Sequence, residues 1–123
     1  MFKHFFPLAI ALIAGCQSPA PPPVQVADAR EVVESALASW KNAEPVQALR
    51  EKQESIFVAE PRWESGWKLD GYEIVGESID GFQARCKVNL SLKDPSGVAS
   101  KEIAEYVATT APKRTVTRVS EGW

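Results

Sequence analysis

The chain has 123 residues, enough for one domain at most. At 45% apolar and 24% charged it has the make-up of a folded protein, which excludes global disorder. Net charge is -2 and the basic residues are scattered, with Lys113-Arg114 their only adjacent pair, so the electrostatic footprint of a nucleic-acid binder is missing.

Residues 1–15 read as a signal segment. Lys3 supplies positive charge, and Phe5 to Ala14 follow as an apolar run of ten residues. As a helix that run is about 15 Å long, at 1.5 Å per residue. A bilayer core of about 30 Å needs roughly 20 residues, so the run fits a signal peptide and not a permanent span. Pro7 argues against a stable core helix here.

Ile13-Ala14-Gly15-Cys16 then resembles a bacterial lipobox. The resemblance implies a thioether-linked diacylglycerol on Cys16, cleavage after Gly15 and acylation of the new amino terminus. The alternative is an ordinary secretory signal with a chance cysteine, since Ala14-Gly15 suits that cut as well. Each buried methylene contributes about 0.8 kcal/mol, so two or three acyl chains anchor stably where one binds marginally. If Cys16 carries lipid, Cys86 has no intramolecular partner and the domain must fold without a disulfide. Gln17, which is not the Asp of enteric-type inner-membrane retention, leans toward an outer-membrane anchor facing the periplasm.

Residues 16–27 form the expected tether. Pro19, Pro21, Pro22 and Pro23 favour an extended coil. Ten residues of it reach about 30 Å, which clears the headgroup layer. A proline-rich docking motif is the alternative, although the run is short and no basic residue flanks it.

The domain itself is expected over 28–120. Asp28 and Glu31 have capping-box-like spacing. Ala29, Val32, Val33, Ala36, Leu37 and Trp40 then recur at helical spacing, which predicts an amphipathic helix from about Ala29 to Lys41. Pro45 suits the first turn of a second, short helix with Val46 and Leu49 inward. Ile56-Phe57-Val58 is a strand or a buried loop. Glu60 to Trp67, with proline in front and glycine behind, suggests one helical turn folded onto the core.

From Leu69 the period changes to two. Tyr72 to Ser78 is a strand, and Asp80-Gly81 signals a tight hairpin. Phe82, Ala84, Cys86, Val88, Leu90 and Leu92 alternate with polar residues, which makes Phe82 to Leu92 a strand with one buried and one wet face. Asp94-Pro95-Ser96-Gly97 has the chemistry of a type I turn. Ser100 to Thr110, around Ile103, Tyr106 and Val107, is a third strand. Ala111-Pro112 ends it, and Lys113 to Val119 is a fourth.

Helices first and hairpin-linked strands after indicate an α+β fold. The expected arrangement is an N-terminal helix or helices packed on a curved antiparallel sheet of about four strands. "ESALASWKN", "PRWESGWKLDGYEIVG", "FQARCKVNLSLKDPSG" and "IAEYVATTAPKRTVTRV" together resemble the nuclear transport factor 2-like, or cystatin-like, superfamily, over about Asp28 to Val119. The "W…G.KL..Y.I.G" pattern is also similar to small uncharacterised bacterial secreted proteins. The resemblance implies a cone-like fold. It selects no function, because members include isomerases, dehydratases, binding proteins and scaffolds.

The lone histidine, His4, lies in the segment expected to be removed, so the mature chain has no Ser-His-Asp triad, Cys-His pair or histidine metal site. No phosphate loop or metal-ligand spacing is present, and no cofactor is expected. Cys86, among alternating apolar neighbours, reads as a small buried hydrophobe. An acid–tyrosine pair could be drawn from Asp70 and Tyr72, or from Glu105 and Tyr106, but Glu105 should point away from Tyr106 in a strand. Trp40, Trp63, Trp67, Tyr72 and Phe82 either line a pocket for a small apolar ligand or fill the core. Trp123 is assigned no role.

The expected function is therefore that of a non-enzymatic, membrane-anchored envelope lipoprotein. Its partners are membrane lipid through Cys16 and an envelope protein, with no nucleic acid and no metal. The alternatives are a binder of a small apolar ligand and an isomerase- or dehydratase-like enzyme.

Overall fold

The computed structural model describes residues 24–119. The expected signal segment, Cys16, the proline run up to Pro23 and Trp123 lie outside the described residues.

Helix α1 spans Val26–Lys41, and its apolar stripe is buried as the spacing requires: Ala29, Val32, Val33, Ala36, Leu37 and Trp40. It begins earlier than expected. The cap is Gln25, without a side-chain hydrogen bond, so Asp28 sits inside the first turn, where its charge suits the helix dipole. At the other end Ala43 takes φ +62°. Its amide reaches the Trp40 carbonyl at 2.9 Å and the Glu44 amide reaches that of Ser39 at 3.1 Å, which together make a Schellman closure. A 3-10 turn, Val46–Leu49, follows Pro45 and buries Leu49.

Strand β1 is Ile56–Ala59. Helix α2, Pro61–Glu64, is the single turn that the proline, glycine and tryptophans suggest. Strands β2 (Lys68–Asp80), β3 (Gln83–Lys93), β4 (Ala99–Thr109) and β5 (Arg114–Arg118) complete the chain. The fold is α+β, with α1 packed across one face of the sheet. The sheet has five strands in the order β1-β5-β4-β3-β2, one more than expected. It is mixed: β2 to β5 form an antiparallel meander, and β1 lies parallel to β5, from Ile56↔Arg114 to Ala59↔Thr117. It is neither closed nor strongly curled.

The β2–β3 hairpin pairs Asp80 with Gln83, so its two-residue loop is Gly81-Phe82. Gly81, at φ +66°, takes the conformation that such a loop demands at its first position. Phe82 therefore leaves the alternation of β3 and stands 56% exposed. The rest of that face is buried: Ala84, Cys86, Val88, Leu90 and Leu92. The Asp94–Gly97 turn closes through Gly97 N–H to Asp94 C=O at 2.8 Å, as expected.

Strand β4 turns Ala104, Tyr106 and Ala108 inward. Ile103, of opposite parity, is 67% exposed on the outer face rather than marking a buried stripe. Register shifts in β2 at Asp70 and Val75 interrupt its simple alternation. After the second shift Glu77 and Ile79, not Gly76 and Ser78, stand opposite the inward residues Cys86 and Ala84. Glu77 there accepts a hydrogen bond from Arg30 of α1. Such bulges also blunt β2 as an open sheet edge.

Candidate functional site

Because β1 and β2 occupy opposite edges, residues 60–67 must carry the chain across one end of the sheet. That crossing builds the polar centre of the domain. Glu60 is 1% exposed. As cap of α2 it accepts from the Arg62 amide at 2.9 Å, while Glu64 accepts from the Glu60 amide at 2.9 Å. This is a reciprocal cap. The other Glu60 oxygen accepts from the Tyr106 hydroxyl and from Arg118 Nε, the latter at 3.0 Å. Arg118 also donates from both terminal nitrogens to one Glu102 oxygen at 3.0 Å, and Arg62 donates to the other. The Arg62 guanidinium lies 4.1 Å from the centre of the Trp67 ring.

Two carboxylates and two guanidiniums thus balance around one phenol. Burial, and then the negative charge of Glu60, push the Tyr106 hydroxyl far above its ordinary pKa. Burial opposes the charge on Arg118, but Glu60, Tyr106 and Glu102 outweigh it and hold the guanidinium charged. Burial likewise works against the Glu102 carboxylate, and hydrogen bonds from Arg62 and Arg118 win, keeping it below the usual carboxylate range. Among the described residues no buried side-chain nitrogen or oxygen lacks a partner. The arrangement is a clamp joining the end of β1, α2, β4 and β5.

Neither acid–tyrosine pair foreseen in the sequence forms. Glu105 bonds Arg85 at 2.8 Å. Asp70 sits at a bulge, 3.9 Å from Lys93 Nζ. The acid that meets Tyr106 is Glu60. Its signal in the sequence is the Glu-Pro-x-x-Glu spacing of the cap, which marks the turn but not its burial. Arg118 and Glu102 had a signal too: they share parity with the inward residues Val116 and Ala104.

Trp40, Trp63 and Trp67 come together beside the clamp. The rings of Trp40 and Trp63 stack with centroids 5.7 Å apart and planes 10° from parallel. Both are buried, and both indole N–H groups are taken: Trp40 donates to the Trp67 carbonyl at 2.8 Å and Trp63 to that of Glu44 at 3.0 Å. An open groove of about 270 Å³ runs over the three rings, with Glu44 and Asp70 at its rim. Tyr72 lines a different hollow, about 540 Å³, with Asn89, Lys101 and Ile103. Phe82 stands at the hairpin, apart from both. Cys86 is buried, and burial, then Glu77, push its thiol pKa up, as befits a packed hydrophobe.

Among the described residues no three Cys, Asp or Glu cluster with metal-binding geometry, and no helix is long and apolar enough to cross a membrane. No protein-family model matches the chain, and no curated protein matches it in sequence.

Proposed function

We propose that this chain is a bacterial envelope lipoprotein, anchored through acylated Cys16 to the periplasmic side of the outer membrane, with the expected tether 16–27 cut short at Val26, where α1 begins. The domain serves there as a non-enzymatic interaction or scaffold module. The observation that carries this reading is Ile13-Ala14-Gly15-Cys16 between an apolar run and a proline tract. The state of the domain agrees with it: the space between α1 and the sheet is filled by buried side chains, and Glu60, the one fully buried carboxylate among the described residues, is committed to Arg118, Tyr106 and a backbone amide. A relation to the cystatin-like cone belongs to the same proposal, supported by a helix lying across an antiparallel meander.

A second reading is a binding protein for a small apolar ligand. The convergence of Trp40, Trp63 and Trp67 under one groove favours it. An isomerase- or dehydratase-like role has the least support, since the acid nearest a tyrosine is already neutralised by an arginine.

Intact-mass measurement of the membrane-extracted protein, with Cys16→Ser beside it, tests the anchor. The expected result is added diacylglycerol and fatty-acyl mass on the native protein, and release of Cys16→Ser from the membrane fraction. Native protein without added mass, or Cys16→Ser sedimenting as before, ends the reading.

A further inference from the structure

Three of the exposed apolar side chains share one corner of the domain. Val26 is 43% exposed, Ile79 41% and Phe82 56%. Val26 opens α1, while Ile79 lies just before the β2–β3 turn and Phe82 within it. The Val24 amide reaches the Gly81 carbonyl at 3.4 Å, so helix start and hairpin tip belong to the same corner. The other exposed apolar residues lie apart: Val98 beside the β3–β4 turn at the opposite end, Ile103 on the outer face and Val75 at a bulge. Scattered singly, those need no explanation. A cluster at the point where the chain leads back toward Cys16 does.

We infer that this corner is a lipid contact: Val26, Ile79 and Phe82 rest in the boundary between headgroups and acyl chains of the bilayer. The inference rests on the anchored reading above. Seven residues lie between Cys16 and Val24, which makes eight steps along the chain. Fully extended they span at most about 28 Å, at about 3.5 Å per residue. The opposite end of the sheet lies a further strand length away, about 35 Å for eleven residues. Of the exposed apolar side chains among the described residues, those at this corner are the ones a short tether holds against the membrane. Tethering also raises the local concentration of the surface so far that a small contact suffices. Asp28 and Asp80 flank the corner and are exposed, so attraction to anionic headgroups is not its source. The contact is apolar and insensitive to salt.

Hydrogen exchange on the full chain, purified from membranes with its mass recorded and placed on phosphatidylcholine vesicles, tests this. Amides of residues 78–83 are expected to exchange about tenfold more slowly on vesicles than in the double variant Ile79→Ser/Phe82→Ser, the size expected from losing a partly buried aromatic and an aliphatic side chain. Amides of 94–98 are expected to match between the two proteins. Both substitutions are at exposed positions, and an unchanged unfolding midpoint verifies the fold. Equal exchange at 78–83 in both proteins, on a chain whose mass carries lipid, overturns the contact and leaves the anchor standing. A chain without added mass that still shows protection confined to this corner keeps the contact and ends the anchor. A chain with neither loses both.

Discussion

Where α1 ends, charged side chains are turned inward and paired; where it begins, apolar side chains are turned outward. The first end holds Glu60, Tyr106, Arg118 and Glu102 beneath the tryptophans, and the second holds Val26, Ile79 and Phe82. Both depart from the ordinary rule of apolar inside and polar outside, yet for different reasons. The inward charges serve the fold, because the crossing from β1 to β2 leaves a cap, a hydroxyl and a strand-end arginine facing one another under a short link. The outward apolar groups are about half covered by the domain, and their exposed halves are the ones assigned above to the lipid contact.

Arg118→Leu tests the first half of that contrast most strongly. It leaves Glu60 buried with its charge unmatched and removes two hydrogen bonds from Glu102. Breaking one side of a buried pair costs about 3–5 kcal/mol, read as a fall in the free energy of unfolding by urea. A loss under about 1 kcal/mol would mean that water reaches Glu60 and that the clamp is not a structural unit. The substitution is expected to leave vesicle binding unchanged, since it touches the other end.

The clamp also predicts the acid limb of stability. The Glu102 carboxyl is held below its usual value of 4.5 by Arg62 and Arg118. Its unfolded form therefore takes up protons first as the pH falls. The stabilisation is complete above pH 4.5 and drains away below it, as the folded-state pKa is approached and passed. Glu102→Gln should flatten the fall in unfolding midpoint below pH 4.5, while leaving the slope between pH 6 and 8 as it was. An unchanged acid limb would show that other carboxylates set it.

How much of each end is legible in the sequence follows from how local its cause is. Strand β3 is legible because alternation is a property of the strand itself. The Glu60 cap is legible as a turn, since Pro61 and Glu64 lie within four residues. Its burial is not, because that depends on Arg118 and Tyr106, brought in by pairings across more than forty residues. β1 is four residues long, too short to show a period, and it gains its identity only from a parallel partner near the end of the chain. Ile103 and Tyr106 differ in parity, so they could not share a buried face, and register settled which one did. By alternation alone Phe82 reads as the first inward residue of a strand. It became half of a two-residue loop once Asp80 paired with Gln83. The aromatic set that the sequence offers either as a pocket lining or as core filling is divided for the same reason, with three tryptophans gathered by the crossing and Tyr72 and Phe82 left elsewhere.

The smallest effect concerns the two ends of α1 itself. At its start Gln25 offers no side-chain hydrogen bond, whereas at its finish Ala43 completes a Schellman closure in a backbone region that disfavours any Cβ. The left-handed conformation costs an alanine about 1 kcal/mol relative to glycine. Glycine loses more freedom on folding, which offsets part of the gain. Ala43→Gly should therefore stabilise the domain by at most about 0.5 kcal/mol, visible as a slightly higher denaturant midpoint at an unchanged slope. Ala43 is exposed, so no packing is lost. A decrease instead would mean that the link from Asn42 to Pro45 relaxes out of the left-handed turn. Trp63 would then lose its hydrogen bond to the Glu44 carbonyl, which ties the end of the helix to the aromatic cluster.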